Sequence, residues 1–284
     1  MRRRRTVAVV VFALIVAVVV GVVVAALRGH TTAAPAKRPV TPVVSLRPFR
    51  IVFPEGFTRV QMAARVTVVA AIAVHERHRP VALAAAPYLR ASRSAVIPCF
   101  GNHRYSDLEG FLFPATYDFL AATSSRALVA DQLVAFCQRW SGVNLAYARS
   151  KNLTPYDVLT IASMIEKEGS LPSERSLIAA VIYNRLRDRM QLGIDATLRY
   201  GLKIPPTSSI TDAELASPNP YNTRLHYGLP PTPIANPGLA SIEAAAHPAH
   251  VDYLYYARIP GTNRQYFTAS AAAFDQFLAT HGYK

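Results

Sequence analysis

The sequence predicts an α+β protein, with one apolar N-terminal helix ahead of a mostly helical domain that carries a short antiparallel sheet. Three observations carry that expectation. Residues 7–27 form an unbroken apolar run; two helices with clear start and stop signals follow one another between Thr154 and Met190; and two β-prone stretches, Asp252–Ala257 and Gln265–Thr268, flank a turn at Gly261. With 51% hydrophobic and 17% charged residues among 284, the chain has material for a core and is no disordered polymer.

The elements follow in order. Residues 1–6 contain Arg2 to Arg5, and the 21 residues Val7–Leu27 are long enough, as a helix, to cross a hydrocarbon core of about 30 Å. A secretory signal has an apolar region of only about 7–15 residues, and Val24-Ala25-Ala26 is a weak cleavage site, so an uncleaved anchor is the favoured reading. Arginines on the short side place residues 1–6 in the cytoplasm and the bulk of the chain outside. Residues 28–48 are Pro/Ala-rich and read as an extended tether. The net charge of +14 is uneven: residues 1–54 hold nine basic and no acidic side chains, the rest 22 against 17. Basicity therefore reports location. No interleaved basic and aromatic pattern points to nucleic acid, which is not an expected partner.

Beyond the tether, Arg50–Phe53 reads as a strand, Pro54–Gly56 as a turn and Thr58 as a helix cap, followed by Ala-rich helical sequence from Val66 to Ala95. The aromatic stretch Leu108–Phe119 reads as core packing around a turn, and Ser125–Ser141 as a helix. Thr154-Pro155-Tyr156-Asp157 starts the clearest helix, which Gly169 ends; Pro172-Ser173 starts the next, running to about Met190. Past Ile194 the chain reads as loop-rich. Cys99 and Cys137 have no metal-ligand spacing around them; in an oxidising compartment they are either a disulfide or two buried thiols. Neither a metal nor a cofactor is expected.

Chemistry is sought first at the end of the helix from Thr154. Glu166 and Glu168 fall on opposite edges of its apolar face, with Lys167 between them facing water, so the helical wheel alone does not choose a catalytic acid. A carboxylate in the last turn meets the negative helix end and apolar surface, both of which raise its pKa toward that of a general acid. The loop Asn219–Gly238, stiffened by prolines, presents Tyr221, Asn222, Thr223 and Asn236; rings and amides of this kind suit a sugar polymer. Asp195 and Thr197 lie where a strand or turn would bring them toward Glu168, or Asp195 is simply a turn residue.

The motifs Ala162-Ser163-Met164-Ile165-Glu166-Lys167-Glu168, Val181-Ile182-Tyr183-Asn184-Arg185-Leu186, Asp195-Ala196-Thr197, Pro220-Tyr221-Asn222-Thr223, Gly228-Leu229-Pro230-Pro231 and Pro233-Ile234-Ala235-Asn236-Pro237-Gly238 resemble the YceG-like family of endolytic murein transglycosylases. Leu108-Glu109-Gly110 with Leu112-Phe113-Pro114 extends the resemblance upstream, and it covers about residues 50–280. It implies a reduced LysM-like strand-helix module at 49–107, a catalytic domain at 108–284, and a membrane-anchored lytic enzyme cutting nascent peptidoglycan between MurNAc and GlcNAc to leave 1,6-anhydro ends. The catalytic residue carries over to Glu168; Glu166, Asn184, Asp195, Thr197, Tyr221, Asn222, Thr223 and Asn236 are placed around the substrate. Implied partners are glycan strands, the membrane, and peptidoglycan synthases or the elongation and division machinery. The chain departs from the family pattern at Ala196, where Pro is usual, and at Gln265 and Phe274, where histidines are expected. Those departures keep a second reading open, a cell-wall-binding or division-scaffold protein with weakened catalysis.

Overall fold

The computed structural model describes residues 47–169 and 171–283, together with residues 17, 18, 21 and 22, which are helical. The expected helix 7–27 otherwise lies outside the described residues, as do the tail 1–6 and all but the end of the tether. Among the described residues no helix is long and apolar enough to cross a membrane. Residues Arg47–Lys284 form one compact unit, α+β and mostly helical.

Strand β1 (Phe49–Val52) pairs antiparallel with β4 (Thr116–Phe119), Phe49 opposite Phe119 and Val52 opposite Thr116. Helix α1 (Arg59–Arg77) starts at Thr58, whose side chain accepts from the Gln61 N–H while Gln61 reaches back, a reciprocal cap. The expected Ala-rich helix to Ala95 is instead three elements: the rest of α1, α2 (Ala85–Ala91), and the start of β2 (Ala95–Ile97), which forms a hairpin with β3 (His103–Tyr105). Alanine favours helix along this whole stretch, but His78 takes the left-handed conformation at the end of α1 and breaks it. Helix α3 (Ser125–Trp140) is capped by Ser124, and Cys137 on it is disulfide-bonded to Cys99, with a Cα–Cα distance of 5.4 Å. Around that bond Phe100, Phe111, Phe136 and Trp140 pack ring against ring.

A short helix α4 (Ala146–Ser150) leads to α5 (Pro155–Glu168), begun by the Thr154/Asp157 capping box and buried from Val158 to Ile165. Helix α6 (Arg175–Arg187) is shorter than expected, because Arg189 turns left-handed and Met190 N–H closes on the Arg185 carbonyl. Asp195 and Thr197 are on neither strand nor turn: they open helix α7 (Asp195–Leu202). The stretch read as loop also holds α8 (Asp212–Leu215) and α9 (Leu239–Ala246), the latter packed against α5 and α6. A hairpin, β5 (Tyr255–Arg258) with β6 (Gln265–Thr268), and helix α10 (Ala271–Thr280) complete the unit. The frame that positions the site is thus α5 held between α6 and α9, with α7 and the β5–β6 hairpin at the end of α5.

Candidate active site

Glu168 is the last residue of α5, and the chain around it is fixed from three sides. Gly169 N–H bonds the Ile165 carbonyl at 2.8 Å, the Gln265 side chain donates to the Glu168 carbonyl at 2.9 Å, and Gln265 N–H donates to Glu174 at 2.8 Å. The partly buried carboxyl accepts a hydrogen bond from the Tyr256 hydroxyl at 3.3 Å and another from the Ala196 N–H in the first turn of α7. Burial pushes its pKa up to about 7, the nearby Asp195 charge adds to the rise, and Tyr256, Ala196 and Arg258 oppose it. It is therefore a carboxyl group able to hold or release a proton near neutrality.

It faces a cavity of about 870 Å³ whose wall runs from Thr58–Gln61 across Glu109, Lys167 and Glu168 to Asp195, Arg199, Tyr200 and Tyr221. Glu109, only 2% exposed, is the second carboxyl there, and burial lifts it to about 7 as well. Unlike Glu168 it is fully engaged. It accepts from Arg59 N–H at 2.9 and 3.2 Å, from Asn236 Nδ2 at 2.7 Å and from the Tyr200 hydroxyl at 3.1 Å. The Tyr200 ring in turn lies 5.2 Å from that of Tyr221, and the pair offers apolar ring surface to the cleft.

Among the residues singled out in the sequence, the structure brings Glu168, Asp195 and Tyr221 to the cavity wall. Asp195 is held by Arg224 at 2.6 and 2.9 Å. The Tyr221 hydroxyl shares a hydrogen bond of 2.8 Å with Thr232. The others sit behind the wall. Glu166 accepts the Gly238 N–H at the start of α9, 3.0 Å. Beside it the Glu55 carboxylate lies directly over Gly238, so a Cβ there would have to push that side chain aside. Asn184 donates to the carbonyls of Val251 and Tyr253, both at 2.9 Å, steering the chain into β5. Thr197 and Thr223 bond each other at 3.0 Å while Thr223 receives Ile194 N–H at 3.0 Å, joining the proline loop to α7. Asn222 is buried with its amide on the Leu215 and Ser217 carbonyls, 2.9 and 2.8 Å. Asn236 is buried between Leu112 N–H, the Phe57 carbonyl and Glu109.

Sequence reasoning passed over Tyr256, Glu109, Tyr200 and the cleft-facing role of Lys167. A signal existed for Glu109, a lone acid inside an aromatic core stretch. Tyr256 carried none, since both faces of its strand bear tyrosine. Of the departures, Ala196 enters the site, lining the cavity and giving its N–H to Glu168, while Gln265 holds the Glu168 main chain and Phe274 stacks on Tyr255 at 5.1 Å. Among the described residues no group of three His, Cys, Asp or Glu side chains is arranged to hold a metal ion.

The model of the YceG-like family matches residues 28–280. A Streptococcus pneumoniae protein named endolytic murein transglycosylase is 31% identical over 246 residues, covering 81% of this chain and 44% of that protein. A Bacillus subtilis protein of the same name is 38% identical over 158 residues, covering 55% of this chain and 43% of its own length. The chain thus spans less than half the length of these relatives. A solved yceG-like protein from Listeria monocytogenes superposes with a TM-score of 0.65 at 30% identity, over 81% of this chain and 76% of that one.

Proposed function

The chain belongs to the YceG-like family, and from that premise we propose that it is an endolytic peptidoglycan lytic transglycosylase whose single catalytic carboxyl is Glu168. The observation that carries the reading is the placement of Glu168: at a cavity wall, raised to about 7, with the Tyr256 hydroxyl and the Ala196 N–H on its carboxyl. As acid it protonates the glycosidic oxygen between MurNAc and GlcNAc; as base it then takes the proton from the MurNAc C6 hydroxyl as that oxygen closes on C1, leaving a 1,6-anhydro end. No water enters as nucleophile, so a second catalytic carboxylate across the sugar is not required. Tyr200 and Tyr221 supply stacking surface for the strand.

The N-terminal run Val7–Leu27 anchors the protein in the cell membrane with residues 1–6 cytoplasmic and the domain outside, where cutting nascent strands ends their elongation beside the synthases. Support for this placement is the sequence alone. Mass spectrometry of the products from uncrosslinked glycan strands tests the chemistry: anhydro ends are expected, whereas reducing MurNAc ends would mean hydrolysis. Protease protection in spheroplasts tests the topology, with the domain digested from outside.

A further inference from the structure

A peptidoglycan strand offers carboxylates as well as sugar faces and amides, those of the stem peptide or, where the peptide has been removed, the lactyl carboxylate of MurNAc, and three cations line this cleft. Lys167, immediately before Glu168, is exposed on the cavity wall with its ammonium donating to the Gly56 carbonyl at 3.3 Å. Arg199 is pinned by two neutral carbonyls, Pro205 at 3.0 Å and Ser208 at 2.8 Å, which fix the guanidinium without discharging it. Lys203 ends α7 in the left-handed conformation, φ 58°, and is also exposed on the wall. None of the three is in an ion pair among the described residues. A fourth cation, Arg59, differs: it is spent on Asp107 and the Leu89 carbonyl.

The acids of the cleft do not balance them. Asp195 is taken by Arg224, Glu109 by four donated hydrogen bonds, and Glu214, near Arg199, caps its own helix through Thr211. Nor do the three cations serve to hold the Glu168 charge, a task that falls to Tyr256, the Ala196 N–H and Arg258.

We propose that Lys167, Arg199 and Lys203 form an anion subsite for the carboxylates of the stem peptide. The inference rests on the peptidoglycan-cleaving reading above and adds the residues that recognise the peptide. The chemistry places the anion correctly: the peptide hangs from the lactyl ether at C3 of the same MurNAc whose C1 leaves the scissile oxygen. Its carboxylates therefore hang from the sugar at the scissile bond, and Lys167 adjoins Glu168 in the sequence and on the cavity wall.

The experiment compares kcat/KM of the full-length protein on uncrosslinked strands with intact stem peptides, on amidase-stripped strands, and on strands whose peptide carboxyls are converted to amides. Wild type prefers the intact strands to the amidated ones, and added salt shrinks the preference; stripped strands, which keep the lactyl carboxylate, cleaved as fast as intact ones would assign the cations to that group and overturn the peptide subsite. Partly exposed pairs of about fivefold each give a drop of at least about tenfold in that preference for Lys167→Gln/Lys203→Gln. Arg79→Gln, an exposed cation outside the cleft, leaves the ratio where it was. Equal rates on intact and amidated strands, or a ratio unmoved by the double substitution, would overturn the subsite while leaving the enzyme reading in place. Should wild type cleave none of the strands, the enzyme reading fails. Strand binding by the same proteins then decides the subsite: tighter capture of intact than amidated strands, lost in the double variant, supports it, and equal capture overturns it.

Discussion

Glu168 and Glu109 stand in one cleft, and burial lifts each of them to about 7, yet their surroundings assign them different work. Glu109 receives four hydrogen bonds that tie the start of α1, the proline loop and α7 into one knot. Glu168 accepts the Tyr256 hydroxyl and the Ala196 N–H and lines the cavity at the end of α5. A raised pKa is thus the mark of burial in both and, in the proposed function, of catalysis in only one; the hydrogen-bond knot around Glu109 tells them apart.

The sharpest way to break this distinction is to remove each charge in turn. Glu168→Gln is expected to lower strand cleavage by about 10³-fold or more, the scale of a lost general acid, without loss of thermal stability. Glu109→Ala should do the reverse. It orphans Arg59 N–H, Asn236 Nδ2 and the Tyr200 hydroxyl, and should cost about 3 kcal/mol in denaturant unfolding. Both carboxyls also make stability pH-dependent. With folded pKa values raised above 4.5, the folded state binds more protons than the unfolded one. Their contribution is therefore full below about 4.5 and lost as pH rises through about 7, and each Gln variant flattens that slope in melts taken from pH 4 to 9.

Next in size is the disulfide. It braces the aromatic cluster behind the Glu109 segment, so reduction is expected to cost about 2–4 kcal/mol, leaving the pH profile of cleavage in the surviving folded protein unchanged. The smallest effect is Tyr256→Phe. Its hydroxyl favours the charged form of Glu168, so its loss should move the alkaline limb of the activity profile upward and change kcat by less than about tenfold. A downward shift would contradict the assigned hydrogen bond.

The parts of this site that were legible in the sequence are those set by local chemistry. The Thr154/Asp157 cap, Pro155 and the Gly169 stop fix α5, and hence the position of Glu168, from residues three or four apart. The β5–β6 hairpin was legible for the same reason, although it begins three residues later than the tyrosine pattern indicates. Helix α7 was not. Gly201 lowers its helical propensity, and the reason glycine is needed there is tertiary: a Cβ would meet that of Tyr221 at 2.7 Å. The pairing of β1 with β4 and the Glu109–Asn236 bond join residues far apart in the chain, which no local period encodes. That is also why Asn222, Thr223 and Asn236 looked like ligands of a sugar: a loop rich in amides and hydroxyls reads the same whether those groups face a substrate or the backbone behind it.

The most direct test runs wild type, Glu168→Gln and Glu109→Gln, all shown to be folded, on uncrosslinked peptidoglycan strands. Anhydro-ended products are expected from wild type and from Glu109→Gln, within about tenfold of one another in rate, and none from Glu168→Gln. Cleavage that survives in Glu168→Gln, or vanishes from a folded Glu109→Gln while Glu168→Gln retains it, would contradict the assignment of Glu168.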